Sequence, residues 1–303
     1  MTATARTGPV SLLVRAVLAI APLARLIKAR ARKTIIDRAE AMGVPWRQHV
    51  RELQAHDWDS ELAAVRDPQL RYPTYYLQAF HAYRQGNLNW QAAWEVEVAS
   101  LSVHAQLWPQ AGTDGDAWLR QRYHDVLQQH LPAPPQAVLD VGCGAGLSTR
   151  ALQDAFPQAQ VTGVDLSPYF LAVARYRSRQ QQAAIAWKHA PGEDTGLPAA
   201  SFDLVSAFLV FHELPQHAAQ AILREARRLL RPGGQVAVME MNPQAEAYTR
   251  MPPYVFTLLK STEPYLDEYF SLDLAQAMQE AGFEPPTFAP TSPRHRAAVA
   301  RAC

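Results

Sequence analysis

Acid is absent from the first 36 residues of this 303-residue chain, cysteine is nearly absent, and charge of either sign is sparse. Two cysteines, Cys143 in a glycine-rich stretch and Cys303 at the end, cannot build a disulfide framework or a cysteine metal site, so a reducing, cytoplasmic setting is expected. Charged residues are only 19% of the chain against 48% hydrophobic, a balance that excludes a disordered chain and suffices for a sizeable core. With 14 glycines and 23 prolines the sequence also falls short of a low-complexity composition. No clean membrane span is present: the apolar run from Thr7 to Ala24 carries Arg15 in its middle and Pro22 near its end. The same arginine weakens a secretory reading, although Ala19-Ile20-Ala21 imitates a cleavage site.

What is present is unevenly charged. The first 50 residues hold nine basic and two acidic residues, and the remainder holds 20 basic against 26 acidic, so a net charge of +1 conceals a basic arm on an acidic body. Nothing in that balance argues for nucleic acid. For residues 1–34 three readings stand: a helical arm packed on its own protein, a peripheral membrane contact, and a processed leader. Arg25, Lys28 and Arg32 share a helical face while Arg30 and Lys33 fall on others, which places the membrane contact second.

Residues 35–131 read as a helical extension. Pro45 opens a helix over Trp46 to Gln54, and Ser60 to Val65 forms another. Tyr72 to Tyr83 is aromatic and irregular. Asn89 caps a helix running to about Leu107, with Trp90, Trp94 and Val98 as a buried stripe, and Asp114 or Asp116 caps one ending near Leu131. The prolines at 132, 134 and 135 mark the domain boundary.

Residues 132–303 change period. Ala137 to Val141 is a short buried strand, Gly142-Cys143-Gly144-Ala145-Gly146 a glycine turn, and Ser148 to Phe156 a helix. Further units follow: a strand from Gln160 ending at Asp165, a helix from Pro168 to about Gln181, and a strand over Ile185 to His189. Next come a strand over Phe202 to Phe208, a helix over Gln216 to Leu230, the turn Arg231-Pro232-Gly233-Gly234, and a strand over Gln235 to Met241. Gly282-Phe283 and the tail to Ala300 complete the sheet with an antiparallel pair, leaving Arg294, His295 and Arg296 solvated. The fold class is therefore α/β, a doubly wound, mostly parallel sheet of seven strands with a helical N-terminal extension. Residues 241–270, rich in Met, Tyr, Phe and Leu, are long for a connection and read as a lid over an apolar pocket.

A GxGxG turn alone is weak. A nicotinamide dinucleotide fold places its third glycine one position later, where this chain has Leu147, and Asp140 would face a pyrophosphate with the wrong sign. An uncharged or cationic ligand fits better. Five blocks in order, Val138-Leu139-Asp140-Val141-Gly142-Cys143-Gly144-Ala145-Gly146, Val164-Asp165-Leu166-Ser167, Leu197-Pro198 with Ser201-Phe202-Asp203-Leu204-Val205, Phe211-His212-Glu213-Leu214, and Leu229-Leu230-Arg231-Pro232-Gly233-Gly234, resemble a class I S-adenosylmethionine-dependent methyltransferase. The similar subgroup is that of ubiquinone and menaquinone methyltransferases. The resemblance covers about residues 130 to 303; the extension is similar only to uncharacterised methyltransferase-like proteins of cyanobacteria and plastids.

The resemblance implies S-adenosylmethionine as cofactor in a Rossmann-like domain and direct displacement onto O, C or N of a small, lipophilic substrate. It implies that Gly142, Cys143, Gly144 and Gly146 form the cradle for the methionine part, that Asp140 holds its ammonium, and that Asp165 accepts both ribose hydroxyls. Leu166 would flank the adenine, with Gly192, Glu193 or Asp194 at the adenine edge, and Phe208 and Leu209 would border the sulfonium. His212 and Glu213 are the candidate catalytic pair, with Glu240 facing the same cleft. The pattern shows no metal-ligand set. A cofactor-binding protein without turnover is the alternative from another class.

Overall fold

The structure is a computed structural model that describes Val10, residues 21–81 and residues 83–303. Most of the basic arm, including the run around Arg15 and the imitation cleavage site up to Ile20, lies outside the described residues. Among the described residues no helix is long and apolar enough to cross a membrane.

The N-terminal region is built from α1 (Ala21–Ala41), α2 (Trp46–Gln54), α3 (Asp59–Val65), a 3₁₀ turn (Thr74–Leu77), α4 (Trp90–His104) and α5 (Gly115–His130). Asn89 caps α4 as its sequence position foretells, its side chain accepting from the Ala92 amide at 2.9 Å. Asp114 occupies the equivalent position of α5 without a capping bond. Asp116 is instead buried one turn in, bound to His104 Nδ1 at 2.6 Å and to Arg120 Nε at 2.8 Å. α4 is sandwiched, which explains why its buried residues do not form a single stripe: Ala92, Ala93, Glu95 and Val98 are buried, while Trp90 and Trp94 are only half-buried. The two indoles stack on each other, and Trp90 meets Tyr169 edge to face. The end of the basic arm packs on the extension: Arg32 of α1 pairs with buried Glu95, and Ile36 and Ala39, just after the arm, are buried in one cluster with Val98.

The remaining elements are β1 (Ala137–Val141), α6 (Leu147–Ala155), β2 (Gln160–Asp165), α7 (Pro168–Gln180), β3 (Ala186–His189), β4 (Phe202–Phe208), α8 (Gln216–Leu229) and β5 (Leu230–Met241). They continue with α9 (Glu246–Thr249), α10 (Pro253–Lys260), α11 (Leu266–Ser271), α12 (Leu274–Glu280), β6 (Thr287–Pro290) and β7 (His295–Arg301). Ser167 caps α7 and Pro168 occupies its first turn. The sheet runs β3-β2-β1-β4-β5-β7-β6. β1 to β5 are parallel, β7 is antiparallel to β5, and β6 pairs antiparallel with β7 at the edge.

Three expectations are corrected here. The segment Arg231 to Gly234 is no free turn but a bulge within β5, since Phe202 pairs with Leu230 and Leu204 already pairs with Gln235. Residues 241–270 are not one long loop but contain three short helices, α9 to α11. His295 is buried at 6% exposure rather than solvated, because β7 lies between two strands and turns that imidazole inward toward His104; Arg294 and Arg296 are half-covered.

Each face of the sheet carries its own core. On one, Leu119, Tyr123 and Leu127 of α5 and Leu152 of α6 pack on Val138, Leu204, Ala237 and Met239, with Tyr123 bonded to the Ser206 hydroxyl at 2.8 Å. On the other, Ile222, Leu223 and Ala226 of α8 and Met278 of α12 cover Leu139, Val205, Val236 and Val238. The extension has a third cluster, in which Leu53, Trp58, Ala92 and Ala93 meet Phe170, Ala172 and Val173 of α7.

Candidate active site

Strand order reverses between β1 and β4, so the loops that leave their carboxyl ends diverge and open a crevice there. The glycine turn after β1 lines it. Gly142, Gly144 and Gly146 have φ of +67°, +52° and +78°, a left-handed region that other residues rarely occupy. A Cβ on Gly144 would have only Phe170 nearby, at 3.9 Å, whereas one on Gly146 would come within 2.6 Å of Trp187. Gly144 is thus bare toward the crevice and Gly146 is demanded by packing. The Cys143 thiol is buried and held well above its usual range by that burial.

Asp165 ends β2 beside this turn. Its Oδ2 accepts the Gly144 amide at 2.8 Å and its Oδ1 the Ser167 amide at 2.7 Å. Burial pushes its carboxyl up to about 6 against those amides. Oδ2 retains a lone pair for a further donor, while Oδ1 also has the Tyr76 hydroxyl at 3.5 Å. Asp140 is fully buried and turned under the loop, where Ser148 and Thr149 donate to its Oδ2 at 2.6 and 2.7 Å. Its Oδ1 has no hydrogen-bond partner among the described residues, and burial raises its carboxyl to about 6 as well. Leu166 is buried, with its carbonyl bonded to His189 Nε2 at 3.0 Å.

The adenine-edge candidates separate. Gly192 is a packing glycine, where a Cβ would meet Val141 at 2.8 Å. Glu193 accepts from Tyr75, and its buried Oε2 is unpartnered among the described residues. Asp194 is exposed. Phe208 and Leu209 also depart from their expected place: the Phe208 ring packs on Tyr123 with the Arg120 guanidinium 4.5 Å from its centre, and Leu209, at φ +57°, joins the same core.

The donor set fits S-adenosylmethionine. That cofactor brings an ammonium, ribose hydroxyls and an adenine amine, all hydrogen-bond donors; the site answers with the remaining lone pair of Asp165 Oδ2 and with one oxygen each of Asp140, under the glycine turn, and Glu193 that has no partner among the described residues.

The second half of the crevice is a polar group that joins three parts of the chain. Glu240, ending β5, is 1% exposed. It accepts the His212 amide and the His212 Nδ1, both at 2.9 Å, and the Met241 amide at 2.7 Å. Burial favours a neutral imidazole, but the Glu240 carboxylate outweighs it and holds His212 up at about 10. A protonated His212 is not a free base in this state. Burial pushes the neighbouring Glu213 up to about 6, and its Oε2 accepts Asn87 Nδ2 at 3.1 Å. His81 Nε2 lies 3.0 Å from Glu263 Oε1 and 3.7 Å from Glu213 Oε1.

His81, Asn87, Tyr75, Tyr76 and Glu263 are absent from the sequence-derived site. Residues 72–88 cross the carboxyl ends of the strands as a strap. Tyr72 approaches His189, the Tyr76 hydroxyl lies 3.5 Å from Asp165, Ser167 donates to the Asn87 carbonyl at 2.7 Å, and the His81 amide donates to the Thr262 carbonyl at 3.0 Å. The aromatic density of the segment was its only signal in the sequence; which side chains face the crevice depends on where the strap crosses.

Comparison with known proteins agrees with this geometry. A family model described as a methyltransferase domain matches residues 138–234. The ubiquinone biosynthesis O-methyltransferase of Coxiella burnetii is 31% identical over 160 residues, 52% of this chain and 67% of that protein. The protein of the same name from Aromatoleum aromaticum is 32% identical over 165 residues, 53% of this chain and 69% of that protein. Among solved structures, the Haemonchus contortus phosphoethanolamine N-methyltransferase 2 in complex with S-adenosyl-L-methionine superposes with a TM-score of 0.54 at 15% identity, over 76% of this chain and 60% of that one, a likeness of fold. With such relatives, and with a glycine turn after β1, an acid ending β2 and a reversed strand order of its own, the chain belongs to the class I S-adenosylmethionine-dependent methyltransferases.

Proposed function

We propose that the chain transfers the methyl group to a hydroxyl oxygen of a small, lipophilic molecule held between the strap (72–88) and the lid (241–270). The observation that carries this reading is the His212, Glu213 and Glu240 group set among apolar side chains. Tyr75, Val210, Met241, Met251 and Leu259, contributed by strap, strand ends and lid, are half-buried against the adjoining core. The names of the curated relatives favour oxygen as the acceptor.

The cofactor, when bound, supplies a methyl group activated on a sulfonium. Gly144 lets backbone approach it, Asp165 accepts ribose hydroxyls, and Asp140 and Glu193 offer acceptors to its amines. Glu213, held by Asn87, hydrogen-bonds the acceptor hydroxyl and orients it, and His212, fixed by Glu240, borders the same pocket. Strap and lid exclude water, so in-line positioning supplies most of the rate. Tyr265 and Tyr269 brace the cover, the latter donating to the Met241 carbonyl at 2.6 Å. Glu213→Gln tests the assignment against a panel of apolar phenols and quinols. Turnover is expected to fall about tenfold or more, with S-adenosylhomocysteine affinity kept; unchanged turnover overturns the role of Glu213. Absence of any methylated product would favour cofactor binding without turnover.

A further inference from the structure

The strap, the β4 loop and the lid converge on one small set of donor atoms. One ligand atom from each of His81, His212 and Glu263 lies within 4.8 Å of the other two. A tetrahedral ion with bonds of about 2.1 Å needs its ligand atoms about 3.4 Å apart, and His81 Nε2 and Glu263 Oε1 are already 3.0 Å apart.

Three further features point the same way. Glu263 is 8% exposed, and its Oε2 has no hydrogen-bond partner among the described residues, a buried acceptor in need of a cation or a donor. Glu240 stands behind His212 and engages Nδ1, leaving Nε2, whose proton an ion would displace to solvent, as the ligating nitrogen. Such a carboxylate behind a histidine fixes ring orientation in metal sites. His81 has φ +47°, a left-handed conformation that is uncommon for a side chain of this size, and the bond from its amide to Thr262 holds it there. The charge balance agrees, since Glu213, Glu240 and Glu263 face only two imidazoles.

We infer that His81, His212 and Glu263 bind a divalent transition-metal ion that clasps the extension to the catalytic domain and its lid. Two imidazole nitrogens and one carboxylate suit zinc and its first-row neighbours, and disfavour magnesium, which prefers an all-oxygen octahedron. With the ion in place the strap is tied at the same point to the end of β4 and to the segment before α11. The inference is independent of the acceptor atom and of the role given to Glu213.

The test uses the full chain, stripped with a chelator and titrated with zinc chloride and, separately, with magnesium chloride by calorimetry. One zinc ion per chain is expected at about micromolar affinity or tighter, with a rise in melting temperature, and magnesium about a hundredfold weaker or undetected. Glu263→Gln and His81→Asn should each weaken zinc about tenfold or more while leaving S-adenosylhomocysteine affinity within about twofold, which separates loss of the ion from loss of the cofactor site or of the fold. Should either variant lose cofactor affinity too, cobalt(II) on the unaltered chain decides: an intense visible band of a four-coordinate ion supports the site, and the weak band of the hydrated ion overturns it. Failure of the unaltered chain to bind zinc, or zinc binding undiminished in both variants, also overturns the inference.

Discussion

Asp165 and Gly144 touch each other and serve the crevice in different ways. Replacing Asp165 by Ala removes the acceptor of two backbone amides and, on the role proposed for it, of the ribose hydroxyls, so S-adenosylhomocysteine binding measured by calorimetry should weaken by about 2–3 kcal/mol. Unchanged affinity would remove the ribose assignment. The carboxyl sits near 6, above its ordinary 3.8, so two opposite pH effects follow. The free protein gains protons on folding between about pH 4 and 6, and the contribution of this group to stability declines as pH rises through that window. Cofactor affinity runs the other way, dropping about tenfold per pH unit below 6 as the acceptor is neutralised, and Asp165→Ala should lose much of that slope. Gly144→Val should abolish cofactor binding, because its side chain would extend into open crevice; the β-branched residue at φ +52° also costs about 1–3 kcal/mol of stability, which urea unfolding checks separately. A Gly144→Val protein that still binds cofactor would contradict the cradle.

Among elements, α3 packs on α7 and joins the extension to the sheet domain. Glu61, buried at 3%, accepts from Arg175 and from Arg179 Nη1, the latter at 2.8 Å. Arg179 is largely exposed and Arg175 partly so, so solvent screening discounts the pairing. Glu61→Ala should therefore cost about 1–2 kcal/mol in urea unfolding and loosen the strap that begins just after α3, raising hydrogen exchange over residues 66–88. Exchange unchanged there would show that the strap is held by its crevice contacts alone. At the opposite end, the bulge in β5 shows how an element absorbs a local conflict: Pro232 has no amide to donate and the two glycines favour a bend, yet pairing resumes at Gln235 because the buried run Val236 to Met239 must lie between β4 and β7.

For the whole molecule, the question is where the catalytic unit begins. Tyr123, Leu119 and Leu127 belong to the core against the sheet, although they precede the proline cluster at 132–135. We propose a unit starting at Gly115. A 115–303 fragment should remain soluble longer than a 132–303 fragment, which would expose the face of Val138, Leu204 and Met239 and aggregate. Light scattering of the two fragments checks this, and a well-behaved monomeric 132–303 fragment would return the boundary to the prolines. Neither fragment carries the strap, so both should bind cofactor more weakly than the full chain.

Alternation of strand and helix, the glycine turn and the acid ending β2 were legible in the sequence because each is local. Period, cap and left-handed turn are set within a few residues, and Asn89 and the glycine turn around Gly144 did in the fold what their positions implied. The partners of buried polar groups were not legible, because they are joined across long stretches of chain. His81 finds Glu263 and Glu213, Tyr76 approaches Asp165, and His295 is drawn into the core by strand order alone. Phe208 illustrates the division: its strand was read correctly, but the pleat turned its ring toward α5 rather than the crevice. The α/β scaffold and the glycine-turn half of the crevice follow from local sequence alone, since those are written in backbone conformation. Only the tertiary structure decided the other half, because bringing strap, strand ends and lid to one place depends on burial of apolar surface far from the residues that meet there.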